Sequence, residues 1–366
     1  MSTKKYKIVK SESIVYKGRT LYRIKALKTF CVACTAISIV VKKGKLGGFI
    51  ETENNLSQEG YCWIFNNAKV YDDARVSEDA KICGSAEIFD SAEVFGNAEI
   101  SGNTQIFYGA HVCGNAKVYG YAKVCGKARV YGEAKVYNFA KILDNAQVYD
   151  NAKIYENAIV AGDVQIYHNA QVCGNAWIYD DAFICDNARI YGLAKIFNKA
   201  IVYGNAKVYG NAQIFGKAKV YGNAEVYENA EIFDYAFIFG DAKVFSNAKI
   251  FGTTWLYGVA KIGDKLSLNK GKYIFATLNE DETLSEIEPI CYKISFAVRV
   301  IELKLPVEQG YIESLVSQFA EYNELADSFR GRTYLSPKEK EILAMLSQCK
   351  KDVKILKKQS KKGELL

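Results

Sequence analysis

Acid–base and thiol chemistry in this 366-residue chain can draw on two histidines and ten cysteines. His111 and Cys113 stand two residues apart in Ala110-His111-Val112-Cys113, which puts both side chains on one side of a strand. A thiolate beside an imidazole base would be a nucleophile. It needs hydrogen-bond contact, however, and alternate residues of a flat strand project in parallel about 6.5–7 Å apart. His168 follows Tyr167, and neither histidine carries a local catalytic signature. Cys83, Cys113, Cys125, Cys173 and Cys185 recur at one slot of a repeat, without the paired spacing of a metal finger. Phosphate-loop, dinucleotide and nucleophile-elbow patterns are absent. His111 and His168 are therefore the catalytic candidates, and the sequence implies no metal and no cofactor.

The elements that would position these residues come from one pattern. From Cys62 to Leu268 the chain repeats every six residues without an insertion: a turn-forming pair, Ala, any residue, Val or Ile, then usually Tyr or Phe. The large aliphatic slot, Ile64 to Ile262, is Val or Ile at all 34 positions except Leu256, and the small slot, Ala68 to Ala260, departs from Ala only at Thr104, Val164 and Thr254. Period-two alternation turns both slots toward one interior and the residue between them outward. Val208 should therefore reject a charge, whereas Lys207 should accept Asp almost neutrally. The Gly, Asp and Asn pairs after the aromatic slot suit tight corners. Three strands and three corners close a triangular coil, and the run is long enough for about eleven coils, roughly 50 Å of column at the inter-strand spacing.

The order of aliphatic and small slots resembles the hexapeptide-repeat left-handed parallel β-helix family over residues 62 to 268. The left hand is implied by that resemblance. Gly44-Lys45-Leu46-Gly47-Gly48-Phe49-Ile50-Glu51, Asn55-Leu56-Ser57-Gln58-Glu59-Gly60 and Cys62-Trp63-Ile64 look like the opening segment of uncharacterised bacterial and phage-borne repeat proteins labelled transferases. The family implies a trimer and acyl transfer from an acyl-coenzyme A, with a His as general base at a cleft between coils. Such enzymes commonly interrupt the repeat with a loop over the cleft, and this repeat has no interruption. A fold carries no function with it.

Residues 1–57 read as a basic β cap, with 12 Lys or Arg against Glu12, Glu51 and Glu53. The repeats, 58–268, carry a net charge of −3, so an acidic partner should meet the cap first. Tyr6, Tyr16 and Tyr22 in that cap suggest nucleic-acid association. Residues 269–366 read as strands, including Lys293 to Val300, and then helices. Ile312 to Ala326 and Ile342 to Leu356 follow helical spacing, Ser336-Pro337-Lys338-Glu339 is a start signal, and the tail is basic. An open strand edge at each end of a solenoid needs such covers. No apolar run reaches the roughly 18 residues of a membrane span, the start lacks a signal peptide, and the cysteines form no disulfide framework. The expected setting is cytoplasmic.

Three outward features bear on function. The slot after the aliphatic residue is Tyr or Phe at 24 of 34 positions, Phe65 to Gly263, so rings 18 residues apart should stack into ladders. The column Phe89, Phe107, Cys125, Leu143, Ala161, Tyr179 interrupts one of them. Outward slots that elsewhere carry charge become Ile159, Trp177, Phe183, Ile201, Phe237 and Trp255, a surface for a partner or for the C-terminal helices. A row containing Lys117, Lys135, Lys153, Arg189 and Lys207 forms a basic stripe of the kind that tracks phosphates or simply stays solvated. The reading is a non-catalytic rigid scaffold for a macromolecular, chiefly protein, partner. An acyl-coenzyme A-dependent transferase and a nucleic-acid-associated protein are the alternatives.

Overall fold

The computed structural model describes residues 4–32, 39–258, 260–263, 266–269, 272–275 and 349–356. The repeats form a parallel β-solenoid with one two-residue strand every six residues. Each strand pairs in parallel with the strand 18 residues away, as Arg189–Ile190 does with Lys207–Val208 and that in turn with Glu225–Val226. Three parallel sheets result, one per side of the coil. The first face bears the outward residues Lys69, Ile159 and Trp177, the second Arg75, His111 and Phe183, and the third Lys81, Lys117 and Lys207. The first face has twelve rungs. The last of them is Ser267–Leu268, at the end of the six-residue frame, and the 35 strands from Trp63–Ile64 to Ser267–Leu268 make nearly twelve coils rather than eleven.

The interior follows the alternation. Ala206 and Val208 are fully buried, as are the corresponding residues of neighbouring coils. Thr104 is also buried in the small slot, and its hydroxyl donates to the Ser101 carbonyl at 2.6 Å, which removes the cost of an unpaired polar group. At each corner the first residue takes a left-handed conformation, such as Asp144 with φ 57° and Gly126 with φ 76°. Carboxylates at these corners tie successive coils together: Asp144 accepts the Gly162 N–H at 3.1 Å and Asp186 the Gly204 N–H at 3.1 Å.

The cap consists of β1 (Tyr6–Tyr16), β2 (Arg19–Ala26), β3 (Phe30–Val32), β4 (Ile39–Val41) and β5 (Leu46–Ile50). Antiparallel pairing joins β1 to β2 and β2 to β5, while β5 pairs in parallel with Lys69–Val70 and continues the first face. The Gly47-Gly48 pair permits this close approach, since a Cβ on Gly48 would lie 2.4 Å from Ile64 Cγ2 and 2.5 Å from the Ala68 carbonyl oxygen. Two outward slots are buried at the start of the solenoid, against the simple alternation. Trp63 is enclosed by the edges of Tyr6 and Phe30 rings, and Lys81 is 4% exposed and paired with Glu99. Tyr71, in the aromatic slot, is likewise buried, with Tyr16 against it.

The chain divides into two compact units. The first comprises 1–239, 243–254 and 262–271, and the second 240–242, 255–261 and 272–366. In the second, Trp255–Gly258 pairs in parallel with Lys272–Phe275, and residues 349–356 form a helix that buries Cys349, Val353 and Leu356. These three match the helical spacing of the last segment. The expected strand Lys293 to Val300, the helix over Ile312 to Ala326, the Ser336 start signal and the tail beyond 356 lie outside the described residues.

Candidate partner-binding surface

The two histidines occupy different structural settings. His111 is a half-buried outward residue of the second face, with Nδ1 3.4 Å from Glu93 Oε2 and its ring against the Phe95 edge. Cys113 follows on the same strand, and burial pushes its thiol pKa up, away from the reactive thiolate. His168 stands at a corner with φ 54°, its ring Nδ1 2.9 Å from Asp186 Oδ1 and its backbone N–H donating to Asp150 Oδ2 at 3.2 Å. Asp150, His168 and Asp186 belong to successive coils, so the contacts extend the carboxylate ties found at other corners. A His oriented by a carboxylate can act as a base, but this one faces open solvent.

The N-terminal tyrosines and cations are engaged in holding the cap. Tyr6 is fully buried and donates its hydroxyl to the Leu56 carbonyl at 2.6 Å, while Tyr16 donates to Glu87 at 2.6 Å. Lys4 pairs with Glu53, Lys17 with Glu87, and Arg19 with Asp72 and Glu51. Arg23 donates to the carbonyls of Gly47 and Asn66. Lys5 Nζ contacts the carbonyls of Glu59 and Gly60 and the Cys62 thiol, and its burial lowers its pKa. Five of the cap's twelve cations are thus engaged by acidic groups or carbonyls of their own unit.

The aromatic ladders are interrupted at Ser77, Cys83, Ser101 and Cys113 in the early coils, and after several continuous coils on the second and third faces all three lack rings within one zone. Tyr119, Tyr137 and Tyr155 stack at 4.9 and 5.0 Å on the third face, and Tyr131, Tyr149 and Tyr167 at 4.8 and 5.0 Å on the second. The third-face ladder breaks at Cys173 and resumes with Tyr191 and Tyr209, and the second-face ladder breaks at Cys185 and resumes with Tyr203 and Tyr221. On the first face Cys125, Leu143 and Ala161 separate Phe107 from Tyr179.

The apolar outward residues lie in the same zone. Ile159 pairs with Trp177 on the first face and Phe183 with Ile201 on the second. Trp177 is 49% exposed, the other three half-buried. Leu193, at a corner slot usually held by Asn, is 54% exposed and lines a hollow with Trp177. The corner between the two apolar pairs carries a groove of about 700 Å³ lined by Asp163, Asp180, Asp181, Asn198 and Lys199 among others. Phe237 lies beyond Ile201 with Lys219 between them, and the Lys219 ammonium is 5.4 Å from its ring. Trp255 belongs to the second unit. Leu193, and the exposed stacked pair Tyr121 and Phe139 in the same corner column, escape a reading of outward strand slots alone. Aligning corner residues 18 apart reveals them against a background of Asn and Ser.

The basic stripe is only partly free. Glu99 pairs with Lys81 and Lys117, and Glu225 with Lys207 and Lys243. Lys135, Lys153 and Arg189 have no acidic partner among the described residues. Hydrogen bonds from the lysines hold Glu225 below the usual carboxylate range, and Glu99 is held low despite the opposing effect of its burial.

The described residues contain no helix long and apolar enough to cross a membrane and no cluster that could hold a metal ion. No protein-family model matches the chain, and no curated protein matches it.

Proposed function

We propose that this protein is a non-catalytic, rigid solenoid that holds a macromolecular partner, a protein, on the belt formed by Ile159, Trp177, Phe183, Leu193 and Ile201. The observation that carries the reading is the coincidence of two departures between residues 159 and 201: each of the three ladders lacks a ring there, at Ala161, Cys173 and Cys185, and charged outward slots turn apolar. A stiff interior of Ala and Val needs neither change. An exposed Trp beside a half-buried Phe within a charged surface is the kind of aromatic anchor that protein interfaces use. The test is affinity capture from the protein's own cells with a nuclease-treated control, comparing the parent with Trp177→Lys/Phe183→Lys. The variant should keep the parent's circular dichroism spectrum and recover at least tenfold less of the partner. Equal recovery removes the belt from the interaction.

The His168–Asp186 contact favours a second reading, an acyl-coenzyme A-dependent transferase, because a carboxylate that orients an imidazole is one requirement of general-base catalysis. Calorimetry with acetyl-coenzyme A decides between them. Saturable micromolar binding that is lost in His168→Ala or His111→Ala supports the enzyme, and no binding supports the scaffold.

A further inference from the structure

The break in the third-face ladder has the dimensions of one missing ring. Tyr155, Cys173 and Tyr191 occupy successive coils, and neighbouring rings of this ladder lie 4.8 to 5.0 Å apart. Two coils therefore separate Tyr155 from Tyr191 by roughly 9.6 Å at the inter-strand spacing. A cysteine side chain is too short to fill that gap. What remains is a hollow of about 310 Å³ lined by Tyr155, Gln171, Cys173, Arg189, Tyr191 and Lys207. Tyr155 and Cys173 adjoin on this wall, and the thiol beside it together with burial pushes the Tyr155 pKa up. A planar ring placed midway would lie about 4.8 Å from each tyrosine, within the range of offset aromatic pairs.

Two cations of the basic stripe line the hollow, Arg189, which has no acidic partner among the described residues, and Lys207, which is paired with Glu225. Lys153 and Arg189 flank Gln171 on the rungs below and above it, and Lys135 is one rung further. Glu156, a carboxylate at the adjoining corner, accepts the Gly174 N–H at 2.7 Å. The break at Cys185 provides a contrast within the same molecule. It is bordered by Phe183, Ile201 and Asp186, with no cation on the rungs beside it. A flat apolar group suits that break. A flat group bearing negative charge suits the one at Cys173.

We propose that the hollow at Cys173 binds a nucleoside phosphate, with its base between Tyr155 and Tyr191 and its phosphate on Arg189 and Lys153. Aromatic faces stack every base, and the adjacent cations supply a salt-dependent attraction to phosphate. Free nucleotide and single-stranded nucleic acid share this chemistry. Titrations of the full chain at low salt with ATP, with a mixed-sequence single-stranded hexanucleotide and with tripolyphosphate separate the sources. At least one nucleotide probe should saturate, and tripolyphosphate should bind at least tenfold more weakly than that probe. A hexanucleotide preference of tenfold or more over ATP assigns the site to a strand, and the reverse assigns it to a free nucleotide.

Cys173→Tyr completes the ladder and should weaken nucleotide binding at least tenfold, whereas Cys185→Tyr should leave it unchanged. Lys153→Gln/Arg189→Gln, at exposed or half-exposed positions where the neighbouring rung already carries Gln171, should weaken binding and reduce its salt dependence. The proposal is overturned if neither nucleotide saturates or if tripolyphosphate binds as tightly. Undiminished binding in folded Cys173→Tyr, or in the double charge variant, overturns it equally.

Discussion

Placing one hydroxyl at two neighbouring interior slots separates the burial of a polar group from its satisfaction. Ala206 and Val208 are both fully buried in the same coil, and Val208 is stacked between Ile190 and Val226. In Ala206→Thr the new hydroxyl can donate to the carbonyl three residues back, at Tyr203. Thr104 donates in this way to Ser101 at 2.6 Å and Thr254 to Phe251 at 2.7 Å. The added volume is already accepted in equivalent slots at Thr104 and Val164, so the cost should stay within about 1 kcal/mol, well short of a forced overpacking. Val208→Thr changes volume little but leaves the hydroxyl among aliphatic groups, which costs about 1–3 kcal/mol for an unsatisfied donor. Val208→Asp should cost several kcal/mol. Denaturant midpoints rank the variants, and hydrogen exchange of amides from Tyr191 to Tyr227 localises the loss, since a stacked array need not unfold in one step. If Val208→Thr proves as stable as Ala206→Thr, the assignment of the two slots is wrong.

Two further outcomes concern the cap. Burial opposes the charge of Glu87, yet hydrogen bonds from Lys17 and Tyr16 outweigh it and hold its pKa below the usual value. A carboxylate with a lowered folded-state pKa adds stability above its unfolded pKa, near 4.3, and loses that contribution as pH falls through the folded value. Protection of β1 amides should therefore drop on acidification below about pH 4 in the parent and much less in Glu87→Gln; identical acid profiles would remove Glu87 from the latch. Gly48→Ala should cost about 1–3 kcal/mol by forcing its Cβ against Ile64 and the Ala68 carbonyl, measured as a lower midpoint for cap unfolding.

The solenoid was legible because a six-residue frame with period-two alternation admits one assignment of inside and outside over two hundred residues. Its charges were less so. Lys207 reads as a solvated position that accepts Asp, but Glu225 lies 2.9 Å from its ammonium on the next rung. Asp at 207 would meet that carboxylate, so Lys207→Gln is the neutral substitution. Cross-coil partners 18 residues apart decide such cases, and single-hexad patterns do not display them. Trp63, Lys81 and Tyr71 were misplaced for a different reason. Their slots face outward by period, but non-local contacts with the aperiodic cap bury Trp63 and Tyr71, and Lys81 is buried as well.

A repeat this regular turns each departure into a question with a structural answer. At the first coils the answer lies within the chain: Trp63 is met by Tyr6 and Phe30, Tyr71 by Tyr16, and Glu87 by Lys17. Between residues 159 and 201 the departures are of the same kind, with outward apolar residues and missing rings. There Trp177 and Leu193 remain about half exposed, at 49% and 54%. If Trp177 answered to the interior, its effect would be felt in stability, because interior slots tolerate little change. Residues that answer to another molecule can be exchanged for lysine without loss of the fold. The neighbouring rung already shows the second behaviour, with Lys195 directly paired to Trp177 in the same sheet. That equivalence at Trp177, and the polar Gln165 paired with Phe183 in the second-face sheet, are why the lysine substitutions at Trp177 and Phe183 are a test of recognition rather than of folding.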